Sequence, residues 1–267
     1  MTQTIPPILL VGFGKMGGAM LSGWLERGLA PSIAVDPTLP PSPGPNVTVV
    51  ATAADIPATF VPAAVVIAVK PQNAAETVPL YARYAGHAIM LSIMAGQTLR
   101  NLRQHLGDQA AIVRAMPNTP AAVRQGITVA CPGPGVTGAH RTLCDALLTA
   151  IGAVAWVDDE GLIDPVTAVS GGGPAYVFLL AELLEAAAIE QGIPPGLARL
   201  MARQTVSGSG ALLAASTEDA SKLRQAVTSP KGTTERALAV LMAPDAWPAN
   251  ISSAIAAATA RSRELGG

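Results

Sequence analysis

Residues 8–28 constrain the fold more than any other stretch of the chain. Ile8-Leu9-Leu10-Val11 is a short apolar strand, Gly12-Phe13-Gly14-Lys15-Met16-Gly17 follows at once, and residues 19–27 carry a helical pattern stopped by Gly28. Strand, G-x-G-x-x-G and helix in that order have a physical reading. Gly12 makes the tight turn, Gly14 clears room for a pyrophosphate, and Gly17 lets helix and strand pack closely. A second strand, Ser32-Ile33-Ala34-Val35, ends in Asp36, at about the spacing where such a unit places an acid for ribose hydroxyls. The expectation is a dinucleotide site, with Phe13, Lys15 and Met16 of the loop beside it. The alternative is a tight strand-to-helix turn with no ligand.

Asp36 bears on which dinucleotide is held. A carboxylate there accepts hydrogen bonds from two ribose hydroxyls and repels a 2′-phosphate. No Lys or Arg stands between Asp36 and Val69 to pair with that phosphate. The expectation is therefore NADH, with NADPH open if a cation folds in from elsewhere. Because Asp-Pro also starts turns, Asp36 has a second reading as a turn former before Pro37.

Beyond Asp36, residues 37–46 are too rich in proline for helix. Short strands are expected at 47–50, 63–69, 88–93 and 111–115, with helices at 52–59, 74–84 and 99–106 between them. Further strands at 123–130 and 153–157 flank a helix at 139–151. The run Ala63–Val69 reads as a buried parallel strand, with Lys70-Pro71-Gln72 at its carboxyl end, where ligands lie in open α/β sheets. Ala68, Val69, Lys70 and Pro71, and Ile93, Met94 and Ala95 after the next strand, are counted as cofactor-binding on that ground. For Lys70 the alternative is a charged loop residue marking the strand's exit. These units predict a doubly wound, Rossmann-type α/β domain over residues 1–159.

Residues 160–267 have a different character. No strand pattern remains, and helices are expected at 174–191, 197–215, 218–226, 235–242 and 249–264. They are rich in Ala and Leu and poor in charge, so they carry broader apolar faces than a domain of this size can bury within itself. Self-association through this all-α half is the expected outlet; packing on the sheet half is the alternative. Before the fourth helix, Thr228-Ser229-Pro230-Lys231-Gly232-Thr233-Thr234 offers backbone N–H groups and hydroxyls at a helix N-terminus. Ser229 reads as N-cap with Pro230 first in the helix, and Gly232 lets a ligand approach the backbone. An anion site and a plain capped helix are both compatible with it.

Composition removes other classes. Half of the residues are hydrophobic, 13% are charged and the net charge is −1, with only three each of Trp, Tyr and Phe. That gives no support to nucleic-acid binding. Apolar runs such as 176–184 are short and interrupted by Glu182 and Glu185, so no membrane span is expected. The N-terminus reads without a signal peptide, and the expected location is cytoplasmic. Cys131, Cys144 and the three histidines follow no ligand spacing, so no metal is expected.

Four motifs together, Ala68-Val69-Lys70-Pro71, Met116-Pro117-Asn118-Thr119-Pro120, Ser170-Gly171-Gly172-Gly173-Pro174-Ala175-Tyr176 and Val227 through Thr234, resemble the pyrroline-5-carboxylate reductases, over nearly the whole chain. The resemblance implies reduction of 1-pyrroline-5-carboxylate to L-proline by a nicotinamide cofactor, a helical dimer, and assembly of dimers into a decamer. It implies that N–H groups at Gly232, Thr233 and Thr234 hold the substrate carboxylate, that Thr234 bonds the ring nitrogen, and that Glu160 lies near the substrate. The chain departs from the family's usual residues at Lys231, Gly172 and Ala226. Lys231 either adds a cation or occupies a turn position that calls for positive φ; the reading adopted is an intact turn with Lys231 toward solvent. Two other classes stay open: a related imine or β-hydroxyacid reductase, for which Lys222 and Lys231 are the only lysines in the helical half, and a non-catalytic dinucleotide-binding regulator.

Overall fold

The computed structural model describes residues 4–266. Eight strands form one sheet in the order β3-β2-β1-β4-β5-β6-β7-β8. They are β1 (Ile8–Val11), β2 (Ser32–Val35), β3 (Val47–Val50), β4 (Ala64–Ile67), β5 (Ile89–Ser92), β6 (Ile112–Met116), β7 (Gly126–Pro132) and β8 (Gly152–Trp156). Among them run α1 (Lys15–Glu26), α2 (Ala74–Thr77, continued by a 3-10 stretch Val78–Tyr84), α3 (Leu99–Leu106) and α4 (Gly138–Leu148). The first six strands are parallel, and strand alternation sends their side chains to two cores. Ile8, Leu10, Ala64 and Val66 pack with Trp24 of α1 and Leu147 of α4 on one face. Leu9, Val11, Val65 and Ile67 pack with Val78, Tyr81 and Leu102 on the other.

Several elements differ from the sequence reading, each for a local reason. Helix α1 begins at Lys15, inside the glycine loop, so the loop's last residues are already helical. The helix expected at 74–84 tightens after Thr77, where Pro79 removes an N–H from the α-helical ladder. The stretch expected as helix at 52–59 is a single turn, Ala53–Asp55, closed by a reciprocal bond pair between Thr52 and Asp55 before Pro57. Strand β7 runs antiparallel to β6. Residues 117–125 that join them include Pro117 and Pro120 and are fewer than the dozen or so a crossover needs, so the chain returns directly. β8 then pairs parallel to β7 across α4.

After β8 come a turn at Glu160–Leu162, α5 (Ile163–Val166), a π-helical turn at Thr167–Gly171, and five helices. These are α6 (Gly173–Glu190), α7 (Pro195–Ala215), α8 (Ala220–Ala226), α9 (Thr233–Leu241) and α10 (Trp247–Gly266). The chain divides into two compact units, residues 1–171 with 258–267, and residues 172–257. Within the second, α6 and α7 are joined through Gly192, whose φ of +84° suits the residue that ends a helix. No residue of α6 is buried, and Phe178 is 62% exposed. By length and composition alone the stretch Glu160–Glu190 is long and apolar enough to cross a membrane, where the sequence reading counted only shorter, interrupted runs. Such length and apolarity also fit a helix whose partner is another protein surface.

Candidate functional site

At the carboxyl ends of β1, β2 and β4 the first unit encloses a cavity of about 590 Å³, lined by Gly12, Gly14, Asp36, Ala68, Val69 and Lys70 among others. The glycine loop builds it as the sequence required. Gly12 has φ +95°, and a Cβ there would lie 2.8 Å from the Ala68 carbonyl oxygen. A Cβ on Gly17 would stand 2.2 Å from the Gly12 oxygen, which no side chain can occupy. Around Gly14 there is open space instead. It is the N-cap of α1, no side chain caps that terminus, and the helix's first N–H groups are available to an anion. The donor set, the open approach at Gly14 and the acid at Asp36 fit a dinucleotide.

Asp36 is held from two sides. One carboxylate oxygen accepts the Phe13 N–H at 2.8 Å; the other accepts the Thr38 N–H at 3.0 Å and the Thr38 hydroxyl at 2.6 Å. Partial burial by itself would raise the pKa, but the bonds from Thr38 and Phe13 outweigh it and hold the carboxyl below its ordinary value. Asp36 is thus both the turn former before Pro37 and a fixed negative charge on the cavity wall. Tyr81 also lines the cavity; burial pushes its phenol up to about 12, so it stays protonated.

The other expected cofactor residues lie around this wall. Lys15 is exposed in the first turn of α1, while Phe13 and Met16 pack partly against the core. Pro71 opens the turn after Lys70. Ile93 and Ala95 are partly exposed beyond β5, but the Met94 side chain is buried, leaving only its backbone for a ligand.

In the second unit, helix α9 starts later than the Ser-Pro signal indicated. Its N-cap is Gly232, not Ser229, and Thr233 is its first residue. The reason is a tight turn in which the Gly232 N–H donates to the Ser229 carbonyl at 3.0 Å. A Cβ on Gly232 would meet that oxygen at 2.9 Å, so this glycine serves the turn itself. Lys231 takes φ +59°, the left-handed conformation, and its N–H donates to the Glu235 carboxylate at 2.6 Å. Lys231, Thr233 and Thr234 are exposed, and no side chain caps the helix. Gly172 and Ala226, the other departures, stand at the N-cap of α6 and the last residue of α8.

Three residues take on roles that the sequence did not assign them. Thr38 is one. Asn118, in the proline-bracketed turn, accepts the Ile127 N–H at 2.9 Å and donates to the Ser170 carbonyl at 3.1 Å. Arg114, only 2% exposed, ion-pairs with Glu160 at 2.9 Å. Its one outward sign was a charge inside the apolar strand Ile112–Met116. One Glu160 carboxylate oxygen, Oε1, is thus bonded within the first unit, where it also accepts the Leu99 N–H at 2.7 Å.

A doubly wound sheet with this glycine loop, an acid after β2 and a helical second unit define a dinucleotide-dependent oxidoreductase. The pyrroline-5-carboxylate reductase dimerisation model matches residues 160–265. The chain is 39% identical to the pyrroline-5-carboxylate reductase of Pseudomonas aeruginosa over 202 residues, 75% of this chain and 74% of that protein. Its fold resembles a pyrroline-5-carboxylate reductase from Coxiella burnetii, with 30% identity and a TM-score of 0.87 over 97% of this chain and 98% of that one. It also resembles the Plasmodium falciparum pyrroline carboxylate reductase solved with NADP bound, at 25% identity and a TM-score of 0.82 over 98% of each chain. The chain belongs to the pyrroline-5-carboxylate reductase family.

The loop geometry separates two glycines. Gly17→Ala is expected to cost roughly 1–3 kcal/mol in urea unfolding. Gly14→Ala should leave stability within about 0.5 kcal/mol and weaken dinucleotide binding by about tenfold or more, measured by fluorescence titration. Asp36 sets a pH dependence. Its folded-state pKa lies below the ordinary 3.8, so its contribution to stability is complete above that value and is lost as pH falls through the lowered pKa. Acid titration of wild type and Asp36→Asn should show a stability gap that closes with falling pH; a gap constant down to the acid limit contradicts the assignment.

Proposed function

We propose that this chain reduces 1-pyrroline-5-carboxylate to L-proline. The observation that carries the reading is the pairing, in one chain of this family, of a dinucleotide cavity with an uncapped helix N-terminus bearing two exposed threonines. When bound, the dihydronicotinamide supplies the hydride for the ring C=N carbon. The chain's part is to hold the substrate and support the nitrogen as it becomes an amine. The N–H groups of Thr233 and Thr234, with the turn at Gly232, receive the substrate carboxylate, since a helix N-terminus favours an anion. The Thr234 hydroxyl orients the ring nitrogen. A hydroxyl is too weak an acid to give up its proton outright, so the nitrogen's proton arrives with the iminium form of the substrate or through water. Positioning and carboxylate capture then supply most of the rate. Glu160, which the resemblance places near the substrate, has one carboxylate oxygen bonded to Arg114 and to the Leu99 N–H.

Asp36 supports NADH as the preferred cofactor, because its carboxylate is fixed on the cavity wall and held ionised. Lys70, at the end of β4, is the feature that keeps NADPH open, since it lines the same cavity. The exposed apolar faces of α6 and α7 favour a second copy of the chain over a lipid partner, in keeping with the dimerisation model over residues 160–265. We read residues 1–159 as the cofactor part and 160–267 as the substrate and dimerisation part. Assembly of dimers into a decamer and a cytoplasmic location complete the proposal.

Oxidation of NADH at 340 nm with 1-pyrroline-5-carboxylate tests the activity. Turnover well above background is expected, with kcat/KM higher for NADH than for NADPH; the reverse order removes the role given to Asp36. Thr234→Ala should lower kcat/KM by about tenfold or more, with dinucleotide affinity within about twofold. An equal loss of both places Thr234 outside the substrate site.

A further inference from the structure

Arg114 sits in the middle of β6 with its side chain almost wholly buried, and its bonds tie together four separate segments of the first unit. Its Nη1 donates to Glu160 Oε1 at 2.9 Å, and the same oxygen accepts the N–H of Leu99, the first residue of α3, at 2.7 Å. Its Nη2 lies 3.7 Å from Asp164 Oδ1, which accepts the Ser262 hydroxyl near the end of α10 at 2.7 Å. The loop after β5, the strand β6, residues 160–164 and the last helix therefore converge on one guanidinium. An apolar cluster of Met116, Val129, Cys131 and Ile163, with Ala95, Leu99 and Val166 against it, joins the loop after β5, β6 and the stretch after residue 160 a second time.

Stability alone is a poor account of this arrangement. Burying a guanidinium carries a desolvation penalty that apolar side chains of like volume avoid. The Arg114 Nε, moreover, has no hydrogen-bond partner among the described residues. What the network does accomplish is spatial. On one side is the loop carrying Ile93 and Ala95, proposed for the nicotinamide cofactor. On the other is the stretch 160–171, which ends in a π-helical turn, a geometry with weaker local support. Asn118 ties that turn a second time, through the Ser170 carbonyl.

Resting on the reductase reading, we infer that Arg114 and Glu160 form a positioning pair for hydride transfer. They set the loop after β5 against residues 160–171 and touch neither substrate nor cofactor. The pair acts on the alignment of the reacting atoms and leaves binding nearly unchanged.

The test compares wild type, Glu160→Ala, Glu160→Gln and the double variant Arg114→Met/Glu160→Gln, with wild-type turnover checking the reductase reading separately. Glu160→Ala is expected to lower kcat by roughly 10- to 100-fold, with the KM for 1-pyrroline-5-carboxylate and the dinucleotide Kd each within about threefold. The isotope effect on kcat from the deuterated dihydronicotinamide should rise as hydride transfer becomes slower. Glu160→Gln keeps an acceptor for the Leu99 N–H and should recover part of the rate. The double variant removes both members of the pair together, and Asp164 keeps the Ser262 hydroxyl as its partner; near-UV circular dichroism checks that this variant is folded, and a lowered kcat is expected there too. Wild-type kcat in the folded double variant overturns the inference. So does a KM rise at unchanged kcat in Glu160→Ala, which would make Glu160 a substrate contact.

Discussion

The structure depends first on one backbone approach. Helix α1 comes so near the turn after β1 that the Gly17 Cα faces the Gly12 carbonyl with no room for a methyl group. A Cβ on Gly12 would in turn stand 2.8 Å from the Ala68 carbonyl oxygen at the end of β4. Two strands and a helix are thereby locked at the point where the strand order turns outward in both directions from β1 and β4. The cavity is a consequence of that lock. Because the helix starts inside the loop, its uncapped N–H groups face the opening over Gly14, and Asp36 is drawn onto the wall by the Phe13 N–H. Anion site and acid are set by the same few peptide planes.

A second constraint acts further along the sheet. β6 ends in Met116 and the proline-bracketed turn, and the two polar residues there, Arg114 and Asn118, each hold part of the segment that follows β8. One does so with a buried charge, the other with an amide whose two ends bond in different directions. This end of the sheet thus exchanges some of the economy of an apolar core for defined geometry, since every polar atom buried there needs a partner in one place only.

The parts legible in the sequence were those whose cause is local. The glycine loop, β2 with its terminal acid, and α3 at 99–106 follow from residues within one or two turns of each other. Where two local signals competed, the sequence misled. Ser229-Pro230 reads as a helix start, but the Gly232-to-Ser229 turn and the Glu235 bond to the Lys231 N–H fix the start at Thr233. That outcome required a lysine in the left-handed region, at a cost of about 1 kcal/mol that residue statistics discourage. The Arg114–Glu160 pair was hidden for another reason. Its partners are 46 positions apart, and nothing periodic connects a lone arginine in a strand to a glutamate in a loop. The resemblance directed Glu160 toward the substrate; the structure adds an ion pair between its Oε1 and Arg114.

The helical unit raises a question about stability as well as function. A helix such as α6, with apolar side chains on more than one face and none of them buried, packs on α7 but leaves much of its apolar surface uncovered. A further surface over its 18 residues would add burial that α7 does not supply. If that surface is a second copy, folding of residues 172–257 and association become one equilibrium, and the stability of this unit depends on protomer concentration in a way that the sheet unit, with two internal cores, does not. The exposed turn at Thr233 and Thr234 belongs to the concentration-dependent part. Formation of that turn would then be tied to assembly, while the glycine loop and Asp36 belong to the unit with its own two cores.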